Sequence, residues 1–231
     1  MEKISLAAKS VDSLIGGGLE PGVVTNVYGS WASGKTNFTI QAAVSCIRTG
    51  KKVIFIDSEG GFSVERFFQI AGEDKDLLEK VILIEPKTFE EQNNVIETLD
   101  KKLVKNDTVG LIVVDSLVSF YRLALHEDDY QKANYKLSNQ LSILSKIARE
   151  KKIPVLVTNQ VYSDFDSGEI QMVGRDIPRY GCKTIIKLEK LSGNKRKAIV
   201  IKHRFRPDGI STEFEIRNKG LFDVEKRFKI F

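Results

Sequence analysis

Gly29-Ser30-Trp31-Ala32-Ser33-Gly34-Lys35-Thr36 is a complete G-x-x-x-x-G-K-[ST] phosphate loop. Its flanks supply the context that pattern needs. Upstream, Val23-Val24-Thr25-Asn26-Val27-Tyr28 is β-rich, and downstream residues 37–48 are helix-compatible and stop near Gly50. A strand, a glycine loop and a helix N-terminus together make an anion site suited to a nucleoside triphosphate. Gly29 and Gly34 are expected to bend the backbone so that the amides of residues 29–36 turn toward phosphates. Lys35 brings a cation to the β and γ oxygens, and the Thr36 hydroxyl is a ligand for Mg²⁺. ATP and Mg²⁺ are the cofactors this reading predicts.

The strand-and-helix alternation continues along the chain. Residues 53–56, 81–84, 111–114 and 155–157 are short, almost wholly apolar runs that suit strands buried on both faces of a parallel sheet. Between them, 63–72, 88–105 and 131–151 read as helices, the last with Leu137, Leu141, Leu144 and Ala148 at helical spacing. Beyond residue 183 the pattern turns to successive strands at 183–190, 196–202 and 213–217, the first two joined by a Ser192-Gly193-Asn194 turn. The expected fold is α/β, a mostly parallel central sheet flanked by helices, with a C-terminal antiparallel extension. No internal repeat or flexible linker divides the 231 residues, so residues 1–231 read as one domain.

Composition narrows the class. A hydrophobic fraction of 42% with no apolar run near the roughly 20 residues of a membrane span predicts a soluble chain with no membrane partner. Met1-Glu2-Lys3-Ile4 does not look like a signal peptide, which makes a cytoplasmic location the expectation. Two histidines, two distant cysteines and no C-x-x-C argue against structural zinc, and Cys46 reads as a small core residue. Charge is unevenly spread. Residues 175–206 hold 11 Lys/Arg against 2 Asp/Glu, a local +9 in a chain of net +5, which leaves −4 elsewhere. Such a block fits an anionic partner such as nucleic acid, and equally a solvated strand face.

Three strand-end residues complete a candidate catalytic set. Asp115 ends the 111–114 run, where its carboxylate can hold Mg²⁺ through water. Glu59 precedes Gly60-Gly61 and can orient an attacking water and accept its proton, or simply cap the next helix. Gln160 follows Val155-Leu156-Val157-Thr158-Asn159; its amide can sense the γ-phosphate, or be an ordinary strand-end amide.

With these residues in place, the chain resembles the ATPase core of RecA-type recombinases, the archaeal RadA branch especially. The likeness is carried by Ser10-Val11-Asp12-Ser13-Leu14, Gly16-Gly17-Gly18-Leu19-Glu20-Pro21-Gly22, residues 29–36, Phe55-Ile56-Asp57-Ser58-Glu59-Gly60-Gly61-Phe62, residues 111–116 and Thr158-Asn159-Gln160-Val161, in family order. The resemblance implies a RecA-like P-loop core. It also implies phosphate and metal roles for Lys35 and Thr36, a Walker B acid at Asp115, a catalytic glutamate at Glu59 and a coupling glutamine at Gln160. Arg66 matches an arginine near the nucleotide base, with a helix-surface role as the alternative.

The departures from that family matter as much. RadA-type recombinases carry an N-terminal helix-hairpin-helix domain and a docking linker, whereas here the core begins within ten residues of Met1. The segments after Asp115 and Gln160 carry Glu127, Asp128, Asp129, Asp164, Asp166 and Glu169, which repel a phosphate backbone, with Arg122 as a well-placed cation. The basic block offers a replacement DNA site in Lys195, Arg196, Lys197, Lys202, His203, Arg204 and Arg206, with Phe205 or Tyr180 to stack on a base. Alternation along 196–206 would place Arg196, Ala198, Val200, Lys202, Arg204 and Arg206 on one face as a cationic ridge. The expected function is a recombination and repair accessory protein that binds ATP and single-stranded or branched DNA, with weak hydrolysis and no strand exchange of its own. A DNA-stimulated strand-exchange ATPase is the alternative. The resemblance further implies RadA recombinase, a Holliday-junction resolvase and a DNA polymerase subunit as partners.

Overall fold

The apolar runs do become strands buried on both faces. In the computed structural model, which describes residues 2–103, 108–125, 130–163 and 170–225, one nine-stranded sheet organises the chain. Its strands are β1 (Val24–Gly29), β2 (Lys52–Asp57), β3 (Val81–Ile84), β4 (Val109–Asp115), β5 (Val155–Asn159), β8 (Thr184–Lys190), β9 (Lys195–Lys202), β10 (Ser211–Arg217) and β11 (Gly220–Asp223). β6 (Val161–Ser163) and β7 (Ile170–Met172) form a separate antiparallel ribbon. The helices are α1 (Lys9–Leu14), α2 (Lys35–Arg48), α3 (Val64–Ala71), α4 (Lys75–Leu78), α5 (Phe89–Leu103), α6 (Ser119–Ala124), α7 (Tyr130–Lys151) and α8 (Asp176–Gly181).

The order across the sheet is β11-β10-β9-β8-β1-β5-β4-β2-β3. From β8 to β3 every pairing is parallel, and β9, β10 and β11 add an antiparallel extension. Side chains alternate between two cores, as the period of two requires. Val53, Phe55, Leu111 and Val113 pack with α1, α2 and α3 on one face. Ile54, Ile56, Ile112 and Val114 pack with α5, α6 and α7 on the other. The predicted stripe on α7 is core: Leu137, Leu141 and Leu144 are buried, each contributing about 1.5–3 kcal/mol of apolar burial.

Parallel strands leave the sheet at a common edge. There β1 runs into the phosphate loop, β2 into residues 58–61, β4 into Ser116 and β5 into Gln160. Asp57 and Asp115 stand in register on β2 and β4, and Tyr28 faces Asn159 across β1 and β5. Open α/β sheets bind ligands at this edge.

The cationic ridge does not exist in the form read from the sequence. Ala198 and Val200 are fully buried, so the shared face of β9 is core. The strand ends at Lys202, and Arg204 and Arg206 project from the turn that follows. Lys195 and Lys202 sit at opposite ends of β9, roughly 23 Å apart at the rise of an extended strand. Cys46 and Cys182 are both buried with their thiols pushed up to about 12 by desolvation. Ellman's reagent at pH 8 should therefore titrate neither thiol in the native protein and both after denaturation. Rapid labelling of either in native conditions would contradict this packing.

Candidate functional site

The phosphate loop closes around its own lysine. Lys35 Nζ donates to the carbonyls of Gly29 (3.0 Å) and Ser30 (3.2 Å), and its pKa is lowered by burial against the pull of Glu59 and Asp115. Those carbonyls hold the ammonium at the mouth of the loop, where a phosphate oxygen is a stronger acceptor. Gly34 takes φ +100° as the residue before α2, and Ala32 adopts φ +58°. The expectation for Gly29 needs correction. It is not among the residues with positive φ, and what it provides is closeness: an added Cβ would stand 2.4 Å from the Leu188 carbonyl and 2.6 Å from Ser33 Oγ. Ser33 is fully buried with its hydroxyl unpartnered among the described residues, whereas Trp31 is 88% exposed.

Behind the loop, Asp115 is enclosed by hydroxyls. Thr158 Oγ1 donates to Oδ1 at 2.5 Å and Thr39 Oγ1 donates to Oδ2 at 3.1 Å, with the Thr36 hydroxyl close enough to favour the charged form. Desolvation raises its pKa to about 6, with Glu59 adding repulsion and the threonines opposing the shift. A buried carboxylate whose charged form is disfavoured is a fitting partner for a cation. No group of three or more His, Cys, Asp or Glu able to hold a metal exists among the described residues. A Mg²⁺ here would need Thr36, Asp115 through water, and oxygens of a nucleotide, as Mg²⁺ bound with phosphates usually does.

Glu59 sits on a loop built by Asp57, a residue the sequence reading did not single out. The Asp57 carboxylate is buried and accepts the amides of Glu59 (3.2 Å), Gly61 (3.1 Å) and Phe62 (2.7 Å). This lays Gly61 against Thr36, whose Oγ1 is 3.5 Å from where a Gly61 Cβ would stand. Glu59 Oε1 accepts from Gln160 Nε2 at 2.7 Å, and Gln160 Oε1 accepts from Arg122 Nη1 at 3.4 Å. One amide thus joins the β2, β5 and α6 segments. A second glutamine supports them from below. Gln92 accepts from Ser58 Oγ and donates to the Leu117 carbonyl and to Gln140 Oε1, all buried. The only signal for Gln92 in the sequence is a polar residue on the apolar side of α5.

The remaining predicted residues fall in three places. Arg66 bridges elements: Nε donates to Asn37 Oδ1 (2.6 Å), Nη1 to Gln69 Oε1 and the Asn218 carbonyl, and Nη2 to the Arg217 carbonyl. It borders a cavity of about 520 Å³ with Asn194, Ile216, Asn218 and Lys219, beside the first turn of α2. Lys195, Arg196 and Lys197 begin β9 at the phosphate-loop end of the sheet, with Arg196 Nε 3.8 Å from where a Gly34 Cβ would stand. Lys202, His203, Arg204 and Arg206 lie at the other end. Lys202 Nζ donates to the carbonyls of Arg179 (2.6 Å) and Cys182 (2.9 Å), closing α8, and Arg204 reaches Glu20 at 3.4 Å. Burial lowers the His203 pKa, a backbone hydrogen bond with Ile15 and the charge of Glu20 oppose that, and Arg206 and Lys3 add a smaller downward push. Phe205 and Tyr180 are exposed in this region. The acidic residues Glu127, Asp128, Asp129, Asp164, Asp166 and Glu169 lie outside the described residues.

This arrangement of a phosphate loop, a strand-end acid, a glutamate loop and a strand-end glutamine at one sheet edge is that of a RecA-like core. The Rad51 family model matches residues 1–224, and the chain belongs to that family. It is 42% identical to the DNA repair and recombination protein RadB of Methanococcoides burtonii, over 95% of this chain and 97% of that one. With the protein of the same name from Thermococcus kodakarensis the identity is 41%, over 96% and 100%. Among solved structures, a crystal structure of the RadB recombinase superposes with a TM-score of 0.83 at 39% identity, covering 96% of this chain and all of that one.

The Asp115 environment sets a pH dependence. Its folded pKa is raised above the unfolded value, so its stabilising effect is present at low pH and lost as pH rises from about 4 through about 6. Asp115→Asn, with EDTA present, should be more stable than the unsubstituted protein at pH 7.5, by on the order of 3 kcal/mol, and lose most of that advantage by pH 4.5. Equal melting shifts at both pH values would show that the carboxylate is not desolvated.

Proposed function

We propose that this chain is a DNA repair and recombination protein that binds ATP with Mg²⁺ and binds DNA, hydrolysing ATP weakly and acting as an accessory to strand exchange rather than its catalyst. The observation that carries this reading is the contact of Gln160 with Glu59 on one side and Arg122 on the other. On this reading residues 29–36 would hold the phosphates and Thr36 and Asp115 would hold Mg²⁺, which when bound would supply charge neutralisation for the transferred phosphoryl group. Glu59 orients water and takes its proton. The Gln160 amide donates to one oxygen of that carboxylate and competes with water for it, and the same amide would carry a change there to the segments after β4 and β5. A slow basal rate follows from a base held by a hydrogen bond.

For DNA, the favoured surface is the far end of β9. Burial, with a smaller push from Lys183 and Arg179, disfavours the Lys202 charge there, and burial with Arg206 and Lys3 does the same at His203; phosphates would relieve that repulsion. Phe205 and Tyr180 provide stacking faces for unpaired bases. The proposed protein partners are a RadA-type recombinase, a Holliday-junction resolvase and a DNA polymerase subunit.

Two measurements test these readings. Gln160→Ala should raise basal ATP turnover several-fold and abolish its response to single-stranded DNA, whereas Lys35→Ala should abolish turnover; a Gln160 variant that hydrolyses and responds as before would overturn the coupling. The Arg204→Ala, Arg206→Ala double variant should weaken binding to single-stranded and branched DNA alike and lower the slope of log K against log salt by about one to two. An unchanged slope would remove this surface from consideration. A tenfold or greater stimulation of hydrolysis by DNA, with strand exchange, would favour the alternative of a recombinase in its own right.

A further inference from the structure

Arg196 was grouped by sequence with the DNA-facing cations, but the fold gives it other company. It is the second residue of β9, next to the Ser192-Gly193-Asn194 turn, and its side chain reaches Gly34 of the phosphate loop. No carboxylate partners its guanidinium among the described residues. Nη1 donates to the carbonyls of Gly193 (3.1 Å) and Lys195 (2.8 Å), while Nε is buried with no hydrogen-bond partner. That Nε stands 3.8 Å from where a Cβ on Gly34 would be, with Ile216 packed between the loop and the sheet extension. Asn194, Ile216 and Arg66 wall the adjoining cavity, and Arg66 is itself tied to Asn37 in the first turn of α2.

A buried Nε–H beside a helix N-terminus lacks an acceptor, and the anion drawn to that terminus would supply one. A planar fork suits phosphate oxygens better than the compact ammonium of lysine. We propose that Arg196 is a ligand of the bound nucleotide, its guanidinium taking a phosphate oxygen of a nucleoside di- or triphosphate held on residues 29–36. The proposal rests on the nucleotide reading above and assigns Arg196 to that site instead of to DNA. It has a mechanical consequence. Arg196 anchors the β8–β9 turn, so the bound phosphates also set the position of Lys195 and Lys197 beside it.

Trp31 is the sole tryptophan of the chain and is exposed on the loop, which makes it an energy donor to a methylanthraniloyl-labelled ATP. Titrations would compare the unsubstituted protein with Lys35→Ala, Arg196→Ala, Arg196→Lys and Lys195→Ala, with unlabelled ATP, ADP and adenosine as competitors. Arg196→Ala should weaken ATP and ADP about tenfold, or about 1.4 kcal/mol, and leave adenosine unchanged. Arg196→Lys should recover part of the loss, and Lys195→Ala should stay within twofold. Because Arg196→Ala also removes the two hydrogen bonds by which Nη1 holds the turn, affinities are compared at a temperature where every variant is folded. If Arg196→Ala does not fold, Arg196→Gln gives the same comparison. ATP affinity within twofold for Arg196→Ala, alongside its loss in Lys35→Ala, would overturn the role of Arg196 and keep the nucleotide site. Equal weakening of adenosine and ATP would also overturn the phosphate contact. Binding that is absent, or indifferent to Lys35→Ala, would instead overturn the nucleotide reading on which it stands.

Discussion

The parallel pairing of β1 with both β5 and β8 sets the direction in which the loops of the functional edge leave the sheet. Because β2 and β4 join the same array in register, Asp57 and Asp115 emerge side by side, and Gln160 follows one residue beyond β5. Each strand is satisfied on both edges by backbone hydrogen bonds and on both faces by apolar packing, so these ends have little freedom. Three segments far apart in sequence thereby meet within a few ångströms of the phosphate loop.

That rigidity allows buried charge at the edge. Asp115 is tolerated because three threonine hydroxyls surround it, and Asp57 because three amides converge on it. The two carboxylates do different work. Asp57 is complete as it stands and shapes the Glu59 loop, whereas Asp115 holds a charge that its surroundings disfavour and that a cation would stabilise. Glu59 and Lys35 are similarly held by neutral partners, Gln160 and two carbonyls, which phosphates and water can displace.

The basic block shows how far residue order can mislead. Read linearly, 11 cations in residues 175–206 suggest one track. An extended strand runs through the middle of the block, and its inward residues, Ala198 and Val200, are needed by the core that Phe214 and Leu221 also enter. The cations are consequently divided between the phosphate-loop end and the opposite end of the sheet. Lys202 is further drawn into closing α8.

What the sequence determined by itself was local and periodic. The glycine loop with Lys35 and Thr36, the apolar runs that demand burial on both faces, and the acid and amide at strand ends follow from residue type and spacing, and with them the α/β class and the sheet edge at which these residues gather. Only the tertiary structure decided which polar groups meet. Thr39 and Thr158 on Asp115, Gln92 beneath the loops, Arg122 on Gln160 and Arg196 beside Gly34 are contacts between elements separated by 38 residues or more for the Gln160 and Asp115 pairs. Their chemistry is ordinary in the sequence, since a hydroxyl or amide acquires its partner only when packing removes water from around it. Strand order and burial set those partners, and no periodicity along one element encodes them.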